Sequence, residues 1–285
     1  MKTIQEIKTD IDVLVRKQGN QGALKLGDVL DDVVDIVQNV NNTLDRFKAR
    51  ITNVQAFQNV VPSSATEIVF AFFGEVDLTG YTKTGSIGAG IDVYKNGTKY
   101  AVVSAKIICA PANSAYFFNN YLSLTKLDFS NFDTANVISF ASMFEGCIAL
   151  TTLNLSSFNT AKVRGFNYMF KSCEALTSVN ISNFDTSNAT SFDSMFRSCI
   201  ALTSLDLSSF DTSNTTSFAS MFRACNSLTT IVAHDWSAAV SSADMFYNCT
   251  SLVGGNGTTY NSSHIDATYA HIDVADNPGY FTAHA

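Results

Sequence analysis

The sequence predicts an α+β, multi-domain chain: an N-terminal coiled-coil helix, a small β-rich domain, and a C-terminal leucine-rich-repeat solenoid with 26-residue repeats. Three observations point there. A Met-Phe pair recurs at a fixed step, an apolar heptad runs near the N-terminus, and β-rich apolar runs flank an Asn-Gly pair between them. The expected boundaries are 1–56 for the helical stalk, 57–120 for a β-rich collar and 121–285 for the solenoid with its C-terminal cap.

The repeat is the firmest of the three. Met143-Phe144 returns as Met169-Phe170, Met195-Phe196 and Met221-Phe222 at steps of 26 residues, and as Met245-Phe246 after 24. Cys147, Cys173, Cys199, Cys225 and Cys249 each follow the Phe of that pair by three, and Leu124, Leu150, Leu176, Leu202 and Leu228 keep the same step. A run such as Leu202, Leu205, Leu207 reads as a short strand with its apolar residues on one core, and Asp211 to Asn214 as turn chemistry. Phe218, Met221, Phe222 and Cys225 fall at i, i+3, i+4, i+7, which predicts a helical turn over 217–225. Phe132, Phe158, Phe184 and Phe210 should form a ladder down the core, with Trp236 in that place in the last repeat. One such repeat cannot bury its own apolar edge, so several must stack before any is stable.

In the stalk, Leu30, Val33, Val37, Val40, Leu44, Phe47 and Ile51 step alternately by three and four, a heptad seam. Leu30 and Leu44 take the a position and β-branched Val33 and Val40 take d, a choice that disfavours parallel dimers and favours trimers or tetramers. The alternative is an amphipathic helix packed on its own domain. In the collar, EIVFAFFGEVDL and YAVVSAKIICA read as strands, with a hairpin at Asn96-Gly97. GSIGAG, from Gly85 to Gly90, lacks the Lys-Ser/Thr and the opening helix of a phosphate loop.

Composition narrows the function. Of 285 residues 46% are hydrophobic and 15% charged, which is the make-up of a folded protein. A net charge of -7 argues against nucleic acid as partner, because phosphate binding needs a basic face. The longest apolar run, Ile68 to Phe73, is far short of the ~20 residues of a membrane-spanning helix, so no membrane insertion is expected. The opening MKTIQEIKTDIDVLV lacks a continuous apolar stretch, so folding in a cytoplasm is expected. Five of the six cysteines share one repeat position and should be buried thiols; Cys109 lies outside it.

The pattern LTSLDLSSFDTSN…SMF…C, from about Leu124 onward, resembles the BspA-like leucine-rich-repeat family of bacterial and phage surface proteins. The closing MFYNCTSLVGGNGTTYNSSHIDATYAHID…NPGYFT is similar to that family's usual end. The resemblance implies adhesion and ligand binding. The stretch IKTDIDVLVRKQGNQGALKLGDVLDDVVDIV weakly resembles fibre proteins from phages of gut Bacteroides-like hosts.

No nucleophile, base and orienting group stand out, no cofactor is implied, and the nearest approach to a metal motif is His264 with Asp266 and His271 with Asp273. What stands out is a surface. Between the core leucines, outward residues line up as Lys126, Thr152, Ser178, Ser204, Thr230 and as Asp128, Asn154, Asn180, Asp206, Val232, a polar face suited to glycans. A second row is Glu145, Lys171, Arg197, Arg223 and Tyr247. Either row could also serve only to keep the stack soluble. The expectation is a non-enzymatic virion fibre or receptor-binding protein. It would self-associate as a homotrimer, join other virion proteins through its N-terminus and bind a host-surface glycan or protein. The alternatives are a bacterial cell-surface adhesin and, less favoured, a polysaccharide-degrading enzyme.

Overall fold

The computed structural model describes residues 48–236 and 241–284. The expected seam positions Leu30, Val33, Val37, Val40, Leu44 and Phe47 lie outside them.

The expected fold class needs correction. Among the described residues the chain is strands and turns, with one five-residue helix, α1 (Val54–Gln58), and a 3-10 turn at Ala267–Tyr269. The coiled-coil helix expected to reach residue 56 gives way to strand β1 (Lys48–Arg50). Ile51, the last seam position, is 2% exposed in the core of residues 49–285, and its N–H donates to Cys109 O at 3.2 Å. Asn53 then caps α1, accepting from Ala56 N at 2.8 Å. The seam therefore ends in a strand and a buried core position, and the coiled-coil reading does not stand.

Five strands form the first sheet: β2 (Glu67–Phe72), β3 (Thr82–Ser86), β4 (Asp92–Asn96), β5 (Lys99–Ser104) and, after the three-residue β6 (Ile107–Cys109), β7 (Lys126–Asp128). Their order is β3-β4-β5-β2-β7, with β2 parallel to both neighbours and β4 antiparallel to both of its own. The β4–β5 turn is Gly97-Thr98, with Gly97 at φ 59, so glycine takes the first central position that a two-residue hairpin turn demands. Side chains alternate across the sheet: Ile68, Phe70, Tyr100 and Val102 join the main core, while Ala71, Ala101 and Val103 form a small cluster opposite. Phe57 of α1 packs into the main core 4.5 Å from Phe117 and 5.9 Å from Phe70, ring centre to ring centre.

From residue 112 the repeats stack, but not as a leucine-rich-repeat solenoid with strand and helix in each turn. After β8 (Phe132–Asp133), the Leu-x-x-Leu-x-Leu runs yield strands of only three residues: β9 (Thr152–Asn154), β10 (Ser178–Asn180), β11 (Ser204–Asp206) and β12 (Thr230–Val232). They pair as β9–β10 and as β11–β12–β13 (Phe281–Thr282), two short parallel sheets rather than one. The unbroken column is elsewhere: Asn113, Ser139, Gly165, Ser191, Ser217 and Ser241 bridge in parallel from one repeat to the next.

The segment expected to be helical is a chain of turns. Ser220 and Ala224 have φ of 56° and 61°, and Ser142, Tyr168, Ser194 and Asp244 repeat the first position as Gly146, Ser172, Ser198 and Asn248 repeat the second. A left-handed residue every four positions cannot belong to an α-helix. Alternate amides then serve two purposes. Those of Met221, Arg223 and Cys225 close local turns on Phe218, Ser220 and Phe222, while those of Phe218, Ser220, Phe222 and Ala224 donate to Ser241, Ala243, Met245 and Tyr247 of the next repeat. Left-handed non-glycine residues cost roughly 1–2 kcal/mol each, and hydrogen bonds of about 0.5–1.5 kcal/mol each offset this in the stack.

The interior is filled by buried columns, among them those of the Met-Phe methionines and of Leu150, Leu176, Leu202 and Leu228, and three more hold the repeats together. Phe118, Phe144, Phe170, Phe196, Phe222 and Phe246 stack at centroid spacings from 5.3 to 6.1 Å, so the continuous aromatic ladder belongs to the Met-Phe pair. Of the expected ladder, Phe132 meets Phe158 at 6.2 Å, but from there Phe158, Phe184 and Phe210 pack against Phe140, Phe166 and Phe192, at 5.2–5.6 Å. Trp236 closes this mixed column on Phe218 at 5.1 Å. The third column is the thiols. Cys147, Cys173, Cys199, Cys225 and Cys249 are unbridged and fully buried, and each S–H donates to a Phe carbonyl of the preceding repeat at 2.9–3.2 Å. Buried Thr134, Thr160 and Thr186 tie repeats together in the other direction: Thr160 donates to Asp185 O of the following repeat at 2.9 Å and accepts from Asp185 N at 2.8 Å.

The far end is held by Asp273, 5% exposed. Its carboxylate accepts from the amides of Asn256, Thr258 and Gly279 and from the Thr258 hydroxyl at 2.6–3.2 Å. Gly254 is required here, since a Cβ would run into Gly279 O and the Asp273 carboxylate.

Burial raises the Cys147 and Cys249 thiols to about 12 and the three between them well above the usual range. At pH 8 the five repeat cysteines should therefore resist alkylation in the native protein and react within minutes in denaturant, as followed by mass spectrometry. Burial works to raise the Asp273 carboxyl, but the bonds from Thr258, Gly279 and Asn256 outweigh it and hold it below the ordinary value. Its contribution to stability is thus complete above the unfolded value of about 3.9 and is lost as pH falls through the depressed folded one. Urea midpoints between pH 7 and pH 2.5 should show this acid loss, and Asp273→Asn should lower stability at pH 7 and flatten the profile.

Candidate functional site

The strand columns place the expected recognition residues on one face. Ser178 stands opposite Thr152 and Asn180 opposite Asn154, in parallel register, as Ser204 stands opposite Thr230 and Asp206 opposite Val232. The alternation of a strand turns Leu153 and Leu205 into the core and leaves Thr152, Asn154, Ser178, Asn180, Ser204 and Asp206 exposed. At the other end of the row, Lys126 is exposed and Asp128 half-buried on β7, which pairs with β2 so that Lys126 lies opposite Glu67. A groove of about 480 Å³ runs beside Lys126, Asp128, Asn154 and Ser156, bringing together three of the eight expected residues.

The two columns differ in kind. Every acid or amide of the second one is engaged in its own turn. Asn154 accepts from Ser156 N at 3.1 Å, Asn180 from Ser182 N at 3.3 Å, and Asp128 and Asp206 from the amide and hydroxyl of Ser130 and Ser208. The Ser208 hydroxyl, then its amide, hold the Asp206 carboxyl below its usual range. These side chains end each strand, and only their outward atoms remain for a ligand. Thr152, Ser178 and Ser204 make no such bond among the described residues, so the first column is the freer one.

The second row is largely tied up within itself. Lys171 pairs with Glu145 at 2.8 Å, and Arg223 pairs with Asp244 and lies 4.4 Å from the Tyr247 ring centre. Arg197 is the member with no side-chain partner among the described residues. The His-x-Asp pairs serve the C-terminal cap: Asp266 caps the 3-10 turn through Thr268 N at 3.0 Å, Asp273 holds the clasp described above, and His264 stacks on Tyr269 at 4.0 Å. Among the described residues no three His, Cys, Asp or Glu side chains gather as a metal site would require, and no helix is long and apolar enough to cross a membrane.

The turn and ligand roles are separable. Asp206→Ala should cost about 1 kcal/mol in urea denaturation because the Ser208 amide and hydroxyl lose their acceptor, whereas Ser204→Ala should change stability by less than about 0.5 kcal/mol.

No curated protein and no solved structure matches the chain. A family model does, twice in succession, over residues 112–179 and 175–260, which together span more than half of the chain and the whole bridge column from Asn113 to Ser241. The chain therefore belongs to the family described as Mycoplasma protein of unknown function, DUF285.

Proposed function

We propose that this chain is a non-enzymatic recognition protein of the BspA-like surface type, which holds a polar surface ligand, glycan or protein, against the strand row. The observation that carries this reading is the row itself. Thr152, Ser178 and Ser204 repeat one small hydroxyl along a face, in exposed positions that alternate with the core residues Leu153, Val179 and Leu205. Small hydroxyl and amide groups repeated along one face suit a ligand that is itself repetitive, as a polysaccharide is.

Two settings use such a face. In a virion fibre the N-terminal residues attach to the particle and the repeats meet the host; the weak likeness of the first residues to phage fibre proteins supports this. In a bacterial adhesin the repeats are displayed on the cell itself; a family description that names a bacterial genus supports that.

The test is binding of the purified full chain to bacterial cells and to their extracted polysaccharides. Thr152→Arg with Ser178→Arg should weaken binding about tenfold or more while the unfolding midpoint holds, because both positions are exposed. Undiminished binding by the double variant would remove the row from the site. Release of new reducing ends from the polysaccharide would replace recognition by hydrolysis. Immunogold labelling of virions and of cells separates the two settings.

A further inference from the structure

Repeats of equal length serve as one another's reference. Aligned on the Met-Phe pair, the second departs from its neighbours at four nearby positions. Asn159 stands where the others carry Asp133, Asp185 and Asp211; Lys162 where they carry Asn136, Asn188 and Asn214. Arg164 stands in place of Ile138, Thr190 and Thr216, and Gly165 in place of Ser139, Ser191 and Ser217. One acid is gone, two cations are added, and one side chain is removed.

The fold brings these changes to one place. Lys162 and Arg164 flank fully buried Val163, so both point outward from the same side of the coil. A groove of about 690 Å³ opens there, lined by Lys162, Arg164, Gly165, Ile138, Asn188 and Thr190. A Cβ on Gly165 would sit 3.3 Å from Asn167 Oδ1 and 3.4 Å from Ser139 Oγ, so the serine of the neighbouring repeats would crowd this edge of the groove, which Gly165 and Ser139 line. The surroundings hold the chain in position: Lys162 Nζ donates to Asn136 Oδ1 at 2.8 Å, Asn188 Nδ2 to Ala161 O at 2.9 Å, and the Thr190 hydroxyl to Arg164 O at 3.2 Å. The Arg164 guanidinium has no side-chain partner among the described residues. Ile138, 52% exposed, adds an apolar surface beside the charges.

We propose that this groove is a second binding site, which takes the carboxylate of an acidic sugar unit in a surface polysaccharide. A guanidinium fork pairs with a carboxylate through two parallel hydrogen bonds, and the lysine adds a point charge. The volume lies within the roughly 300–1,000 Å³ of small-molecule sites, far more than an inorganic ion occupies, and the apolar surface of Ile138 and Ala161 matches the C–H face of a pyranose ring. The groove lies along the bridge column and not on the strand row, so it does not depend on the row's role.

The full chain is titrated calorimetrically with an oligoglucuronate, an oligogalacturonate, their carboxyl-reduced forms and inorganic phosphate. An acidic oligosaccharide should bind, and affinity should fall about tenfold or more on carboxyl reduction and on Arg164→Thr. The triple variant Lys162→Asn, Arg164→Thr, Gly165→Ser should lose binding and keep its unfolding midpoint, since it uses the residues of the neighbouring repeats. The triple variant should keep the binding that Thr152→Arg with Ser178→Arg removes, which separates a failure here from a failure of the strand row. Phosphate binding as tightly as the oligosaccharides, unchanged affinity in the triple variant, or no binding of either acidic oligosaccharide overturns the proposal.

Discussion

Every feature of the stack depends on how its backbone amides are divided. In each repeat alternate N–H groups close a local turn and the rest donate to the following repeat, a division made possible by two left-handed residues around the Met-Phe pair. Buried amides must find partners. A helix would use all of them within one repeat and leave nothing to join it to the next. The observed winding gives up regular secondary structure in return for a backbone bond at every second residue between repeats. It also explains why the thiols donate to Phe carbonyls one repeat away, since those carbonyls lie beside them in the same column.

A stack of this kind needs ends. At one, α1 and the five-stranded sheet cover the first turns, with Gln58 Nε2 donating to Tyr116 O at 2.9 Å, while at the other the Asp273 clasp and β13 do so. Capping segments free the interior repeats to be nearly identical, because each meets only its neighbours. Function can then reside in two things, the repeated outer row and any repeat that breaks the rule. The second repeat breaks it where Lys162, Arg164 and Gly165 meet, and the resulting groove is a local event on an otherwise uniform scaffold.

Much of this was legible in the sequence. The Met-Phe, Cys and Leu columns were readable as buried, because an identical step in a stack places identical residues in identical surroundings. The helical expectation failed for a specific reason. Phe218, Met221, Phe222 and Cys225 satisfy helical periodicity, and the residues that forbid the helix are Ser220 and Ala224, ordinary side chains in a left-handed conformation that composition does not announce. Gly146, in the same column, was the one visible sign. The coiled-coil reading failed similarly at Ile51, whose spacing fits a seam but whose neighbours are the strands of its own core. The outer columns were found, yet their division into turn-forming Asn154, Asn180 and Asp206 and freer Thr152, Ser178 and Ser204 needed hydrogen-bond geometry.

By itself, then, the sequence determined the repeat length, the buried columns and the polar character of the outer rows, all of which follow from periodicity. Only the tertiary structure decided that the Phe of the Met-Phe pair forms the continuous ladder and that the unbroken parallel column runs through Ser139, Gly165 and Ser191 rather than through the leucine strands. It alone placed Lys162 and Arg164 over a missing side chain. The physical reason is that periodicity states which residues are equivalent, whereas contact depends on how far each turn of the chain rotates before meeting the next. That rotation is set by backbone angles and shared hydrogen bonds that the side-chain pattern leaves open.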